Sequence, residues 1–263
     1  MAARPQSIIV TALGIAIAIL GAVAVPGQGA PTTAPSPEDV PLVGATMLDR
    51  LSRVGQFDAL EATGTDSVRS ASAACLSAYL LLGGDFAAVA RRHEVGATLT
   101  PRHLHQLQDA LYREANRDSV PGLAASAEPI YDASDSLSDW TMRGGDELHQ
   151  VLQSLDLTSE RLYGPTRATV NRRSERIMAR LAEDTTVVFL VGVLLDPESR
   201  TLHELPPDVT ENHWVIAFWH DNGFQVLDSW RAPGESTRVV WSDETATDML
   251  LDTRNTVYAL SRH

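Results

Sequence analysis

His213-Trp-Val-Ile-Ala-Phe-Trp219-His220-Asp221-Asn222-Gly223-Phe224-Gln-Val-Leu-Asp228-Ser229-Trp230 decides the fold. After its first residue, His213 to Trp219 is apolar throughout and predicts a strand. Asp221-Asn222-Gly223 is a turn signal, because Asn and Gly tolerate the positive φ of tight hairpins. Phe224 to Trp230 is the predicted return strand. Side chains alternate faces along a strand. A four-residue loop, His220 to Gly223, pairs Trp219 with Phe224, Val215 with Asp228 and His213 with Trp230. His213 and Asp228 then share a face as diagonal neighbours, roughly 7–8 Å apart between backbones and within side-chain reach. An Asp beside a His is half of a catalytic triad, since the carboxylate fixes the imidazole tautomer and stabilises its charged form.

The missing part is a nucleophile, and the chain contains one cysteine, Cys75. It lies in Ser70-Ala-Ser72-Ala-Ala-Cys75-Leu-Ser-Ala-Tyr-Leu-Leu-Leu-Gly83-Gly84, a run apolar nearly all round that predicts a buried central helix. Ser70 or Ser72 suits an N-cap and Gly83-Gly84 a helix stop. Cys75 is thereby expected in the first turn, where the helix dipole and a neighbouring imidazolium favour a thiolate.

Composition bounds the rest. The 263 residues are 44% hydrophobic, which permits a sizeable core, and carry a formal net charge of -13, which argues against nucleic acid as a partner. A single cysteine excludes an internal disulfide framework. Residues 1–25 hold one charge, Arg4, before the uncharged run Ser7 to Val25, with Ala22-Val23-Ala24 as a small-x-small cleavage site. This segment predicts an exported protein, through a cleaved signal peptide or an uncleaved membrane anchor, since about 20 apolar residues also span a bilayer. Residues 26–41 are rich in proline and form an extended linker, leaving residues 42–263 as the folded domain.

Helical spacing predicts further helices over Val43–Val54, Phe86–His93, Pro101–Asn116, Asp146–Leu155 and Arg167–Ala182. Thr185–Leu195, Arg238–Trp241 and Thr256–Leu260 are predicted strands, with a short helix over Thr245–Leu251. Helices first and strands second predicts α+β with an antiparallel sheet. Arg167, Arg172, Arg173, Arg176 and Arg180 are expected on a solvated helix face, and Trp214, Trp219, Trp230 and Trp241 mostly in the core. His93, His103, His105 and His149 show no metal spacing, Asp132, Asp135 and Asp139 no calcium loop, and no glycine loop cradles a phosphate. No metal or other cofactor is expected.

A cysteine on a central helix, then a helical half, then an antiparallel half supplying His and Asp, resembles the papain-like cysteine peptidase superfamily. Asp228-Ser229-Trp230 is similar to the Asn-Ser-Trp of papain-type peptidases, with Asp for Asn. Gly145-Asp-Glu-Leu-His-Gln-Val-Leu152, followed by a strand and then by Asn212-His213-Trp-Val-Ile-Ala-Phe218, resembles the bacteriocin-processing branch. The resemblance covers roughly residues 68–230. It implies a Cys75-His213-Asp228 triad, with Trp230 shielding the bond between His213 and Asp228.

The pattern departs from the family in one place. The Gln expected about six residues before the nucleophile, a donor to the oxyanion, is Arg69 here, and the nearest glutamine upstream is Gln56. Arg69, Ser70, Ser72 and Gln56 are the candidate second donors beside the Cys75 amide. The implied function is an exported cysteine hydrolase cleaving an amide bond in a peptide, protein or cell-wall peptide. A deamidase, transpeptidase or other acyltransferase would use the same residues. Without a full oxyanion hole the domain would be a papain-like binding module, and with Cys75 as a mere core residue, an exported domain of neither kind.

Overall fold

The computed structural model describes residues 36, 39–42, 46, 51, 55, 69–115, 146–163, 170–184, 186–195, 202–203, 213–220, 222–230, 238–239, 250–251 and 255–262. Gln56 and the expected elements over Val43–Val54 and Thr245–Leu251 lie wholly or mostly outside them, as do the leader and most of the linker. Pro35–His263 forms one compact unit. No helix among the described residues is long and apolar enough to cross a membrane.

The architecture is α+β around an antiparallel sheet. In chain order the elements are α1 (Ser70–Leu81), α2 (Phe86–Arg92), α3 (Pro101–Ala115), α4 (Asp146–Ser154), β1 (Leu157–Tyr163), α5 (Val170–Glu183), β2 (Val188–Leu195), β3 (Leu202–His203), β4 (His213–His220), β5 (Gly223–Leu227), β6 (Arg238–Val239) and β7 (Thr256–Arg262). The strands lie in the order β1-β7-β2-β4-β5-β6, with β3 paired to the end of β2, and every pairing is antiparallel.

The alternating side chains of the strands build two cores. Val188, Leu190, Trp214, Ile216, Phe218, Leu227 and Leu260 pack with the apolar residues of α1–α4. Phe189, Val191, Val193, Val215, Ala217, Val226, Val257 and Ala259 pack with Ile177 and Leu181 of α5. Both faces of β2 and β4 are therefore covered, which is why these strands read as unbroken apolar runs.

Two elements depart from the sequence reading. Leu157–Tyr163, to which the sequence pattern assigns no element, is a strand. Its polar Thr158, Ser159, Glu160 and Arg161 are exposed on the sheet edge, so it lacks the apolar signature that marks β2 and β4. α5 follows β1 and covers the second face, so the helices do not all precede the strands. Its arginines are not all solvated. Arg173 is fully buried and its Nη1 donates to the Asn255 carbonyl at 3.2 Å, and Arg176 donates to the Leu162 carbonyl.

α1 ends by a glycine device. Gly83 takes φ 77 and the Gly84 amide bonds back to the Tyr79 carbonyl at 2.8 Å. A β-carbon on Gly84 would lie 2.3 Å from the Tyr79 ring, so the ring closes over the position that lacks a side chain.

Candidate functional site

The hairpin β4–β5 places the central pair. Trp219 pairs with Phe224 and Ile216 with Leu227, the register the alternation predicts. The ladder also takes in His220 and Gly223, which the sequence reading left in the loop, and Asn222 holds φ 64 just before Gly223. β5 ends at Leu227 rather than continuing to Trp230. Asp228 and Trp230 thus follow the last ladder pair instead of joining it.

His213 Nε2 lies 2.7 Å from Asp228 Oδ1, with both residues almost wholly buried. The same Oδ1 accepts the Trp230 amide at 2.9 Å, a side-chain turn that fixes the carboxylate. An ionised carboxylate only accepts, so Nε2 carries the hydrogen in this bond and the neutral ring presents Nδ1 as an acceptor. The Trp230 ring meets the imidazole edge-on, with centroids 5.9 Å apart at 87°. It covers the imidazole beside Asp228, where exclusion of water strengthens the hydrogen bond.

Helix α1 lies against β4 at this end. Ser70 Oγ accepts the Trp214 amide at 3.2 Å, one residue from His213. Arg69, not Ser70 or Ser72, is the N-cap of α1, and its side chain makes no capping bond. Instead the buried Arg69 Nη2 donates to His105 Nδ1 of α3 at 3.0 Å. Guanidinium is always a donor, so His105 is the neutral tautomer protonated on Nε2. Ser72 is fully buried and its Oγ has no hydrogen-bond partner.

Cys75 is not in the first turn. α1 begins at Ser70, which makes Cys75 its sixth residue. The helix starts where Arg69 and Ser70 are tied to α3 and β4, one residue before a Ser70 cap and three before a Ser72 cap. No free amide surrounds Cys75, because only the first amides of a helix escape its ladder. The thiol is free, fully buried and set in the apolar core with Leu76, Leu104 and Leu111, and burial pushes its pKa far up.

No family model, no curated protein and no solved structure matches this chain. The site's chemistry therefore rests on its own geometry.

Of the sequence-predicted residues, His213, Asp228 and Trp230 come together, and Ser70 joins them through the Trp214 amide. Arg69 is drawn off toward α3, and Gln56 lies outside the described residues. Sequence reasoning missed the Arg69–His105 pair, although an arginine opening an apolar helix and a histidine at helical spacing with the buried Gln108 and Tyr112 were the available signals. Trp219, expected in the core, is 38% exposed and stacks edge-on against Phe224 across the hairpin. Among the described residues no cluster of His, Cys, Asp and Glu could hold a metal ion.

Proposed function

We propose that the chain is an exported papain-like hydrolase that cleaves an amide bond in a peptide, protein or cell-wall peptide. His213 serves as general base and then general acid, and Asp228 orients it. The observation that carries this is the buried 2.7 Å bond from His213 Nε2 to Asp228 Oδ1 beneath Trp230. A structural histidine needs only one partner. Here the carboxylate is itself pinned by a backbone amide and the other ring nitrogen, Nδ1, is left as a base, as acyl transfer requires. Export rests on the leader over residues 1–25. Deamidation and transpeptidation would use the same pair, differing only in the acceptor that resolves the acyl-enzyme.

The test is release of new amine termini from denatured protein and from cell-wall peptides, with His213→Ala as the control. Release that depends on His213 is expected. If no substrate is cleaved beyond the His213→Ala background, hydrolysis is wrong. A second reading, a binding module of the same fold, is favoured by the burial of His213 and Asp228, which are 2% and 3% exposed. Calorimetric binding of uncleaved cell-wall peptide, undiminished in His213→Ala, would establish it.

A further inference from the structure

The last residues of the proline-rich stretch are docked on the domain. We propose that residues 39–42 are a releasable strap, clipped by one ion pair to the corner between α2 and α3, and that its release lengthens the stretch that precedes it. This is independent of the chemistry at His213.

Three contacts of different kinds hold the segment. Asp39 meets Arg102, in the first turn of α3, as a fork: Oδ1 accepts from Nε at 2.6 Å and Oδ2 from Nη2 at 3.4 Å. Paired contacts of this kind fix the orientation of both groups. The Leu42 amide donates to the Leu99 carbonyl at 2.9 Å and pins the other end. The Leu42 side chain is half-buried against the first core, and Val95 and Leu99 pack there too. Between the two ends Val40 and Pro41 stay exposed. The Asp39 amide bonds back to the Ser36 carbonyl at 2.9 Å, which closes the turn that leads in.

The receiving corner has bonds of its own. His103 Nδ1 donates to the Thr98 carbonyl at 2.6 Å, and Thr100 Oγ1 accepts the His103 amide at 3.1 Å. Gly96 leaves the space that the His103 ring fills, for a β-carbon there would lie 2.2 Å from Nε2. One turn along α3, His105 holds Arg69 at the start of α1. The corner is therefore tied into the helical layer without the strap, and the strap can leave without taking it apart.

The clip is of a kind that solvent controls. The Arg102 and Asp39 side chains are 22% and 44% exposed. Exposed ion pairs are screened by salt and stabilise little, so the clip sets a balance between two states. The Arg102 hydrogen bond, aided by the charges of Arg102 and His103, holds the Asp39 carboxyl below its ordinary value of 3.8. Released, Asp39 would take up a proton first, so acid below that value favours release. Segments with few buried apolar contacts and exposed hydrogen bonds open before a core does. Released, the four residues 39–42 add up to about 14 Å of extended chain.

The experiment is amide hydrogen exchange of the full chain, read at Leu42 with β2 and β4 as the reference. Leu42 should be protected in wild type and should open well before β2 and β4. Asp39→Asn should lower its protection by about 2–5-fold, and raising salt from about 0.05 M to 0.5 M should do the same to wild type and little to the variant. Arg102→Asp should also lower it, and adding Asp39→Arg to that variant should restore most of the loss. A spin label on Val40→Cys, an exposed position, should gain mobility in step with loss of Leu42 protection, since the buried Cys75 takes no label. The inference is overturned if Leu42 exchanges like an unfolded chain, if it opens only together with β2 and β4, or if neither Asp39→Asn nor salt alters it. A charge-reversed double variant as weak as Arg102→Asp alone, or a label that stays fixed while Leu42 opens, overturns it too. Thermal melts of the variants keep loss of the strap apart from loss of the fold.

Discussion

Asp228 Oδ1 receives two hydrogen bonds, from His213 Nε2 at 2.7 Å and from the Trp230 amide at 2.9 Å. Asp228→Ala removes the acceptor and leaves both donors in a buried site. Each orphaned donor costs about 1–3 kcal/mol, so the loss should be roughly 2–6 kcal/mol, with about 3 kcal/mol expected if water enters the space left behind. A folded unit of this size loses about 2–4 °C of Tm per kcal/mol, so Asp228→Ala should melt about 6–12 °C below wild type. That leaves the protein folded at room temperature if its stability is in the usual range of about 5–15 kcal/mol. Asp228→Asn keeps an oxygen at the same place, able to accept both bonds. It loses only the charge assistance, worth about 1 kcal/mol per bond. Its Tm should fall between the other two. Activity should fall in the same order, wild type, Asp228→Asn, Asp228→Ala, because the ring first loses a stabilising charge and then its orienting partner. Scanning calorimetry of the three proteins, with His213-dependent release of amine termini measured alongside, decides the matter. If Asp228→Ala melts with wild type, the carboxylate is not held as described. If Asp228→Ala melts low but cleaves at the wild-type rate, Asp228 is a structural tie and no part of the chemistry.

The Cys75 thiol should resist alkylation in the native protein at neutral pH and react only at the rate of unfolding, measured with iodoacetamide in the presence and absence of urea. Its raised pKa also has a signed consequence: the native state keeps a proton that the unfolded state begins to release near 9.0, so stability should decline as pH rises past that value, and Cys75→Ala should flatten the decline in alkaline melts. His93 behaves in the opposite sense, for burial lowers its pKa from 6.5 more than the Glu114 carboxylate at 3.2 Å raises it. The unfolded chain binds that proton first, so stability should drop as pH falls below 6.5, and His93→Gln should reduce the drop in urea titrations at acid pH. Gly84→Ala would set a methyl 2.3 Å from the buried Tyr79 ring, which lies under Arg262 and whose hydroxyl donates to the Asp85 carbonyl. The crowding should cost about 1–3 kcal/mol in equilibrium unfolding.

The hairpin was legible because alternation along two apolar strands fixes register, and a one-residue slip would have turned His213 away from Asp228. β2, α3 and α4 were legible for the same kind of reason, strong patterns on buried faces. The start of α1 was not. Its cap residue uses no local capping bond, and Arg69 and Ser70 are fixed by partners on α3 and β4 that no window of sequence contains. That one displacement moved the helix origin and left Cys75 beyond the first turn. β1 escaped notice because its strand character comes from pairing with β7, distant in sequence, rather than from its own alternation. Arg173 has the same sequence spacing as exposed neighbours, but α5 turns it toward Asn255.

The place of β7 bears on how the molecule is made. Thr256–Arg262 lies between β1 and β2 and bonds to both. Among the described residues β1 has no other strand partner. During synthesis or passage through a membrane pore, β1 emerges long before the strand that will receive it. Until residues 256–262 arrive, β1 must wait unpaired, and the edge of β2 stays open to any extended chain nearby. The helical side, α1 to α4, is complete far earlier. Assembly should therefore end with one late insertion that joins two strands at once, and a chain cut before Thr256 should lose β1 from the sheet along with β7. Under the export proposed above, this arrangement defers the finished sheet until residues 256–262 have crossed.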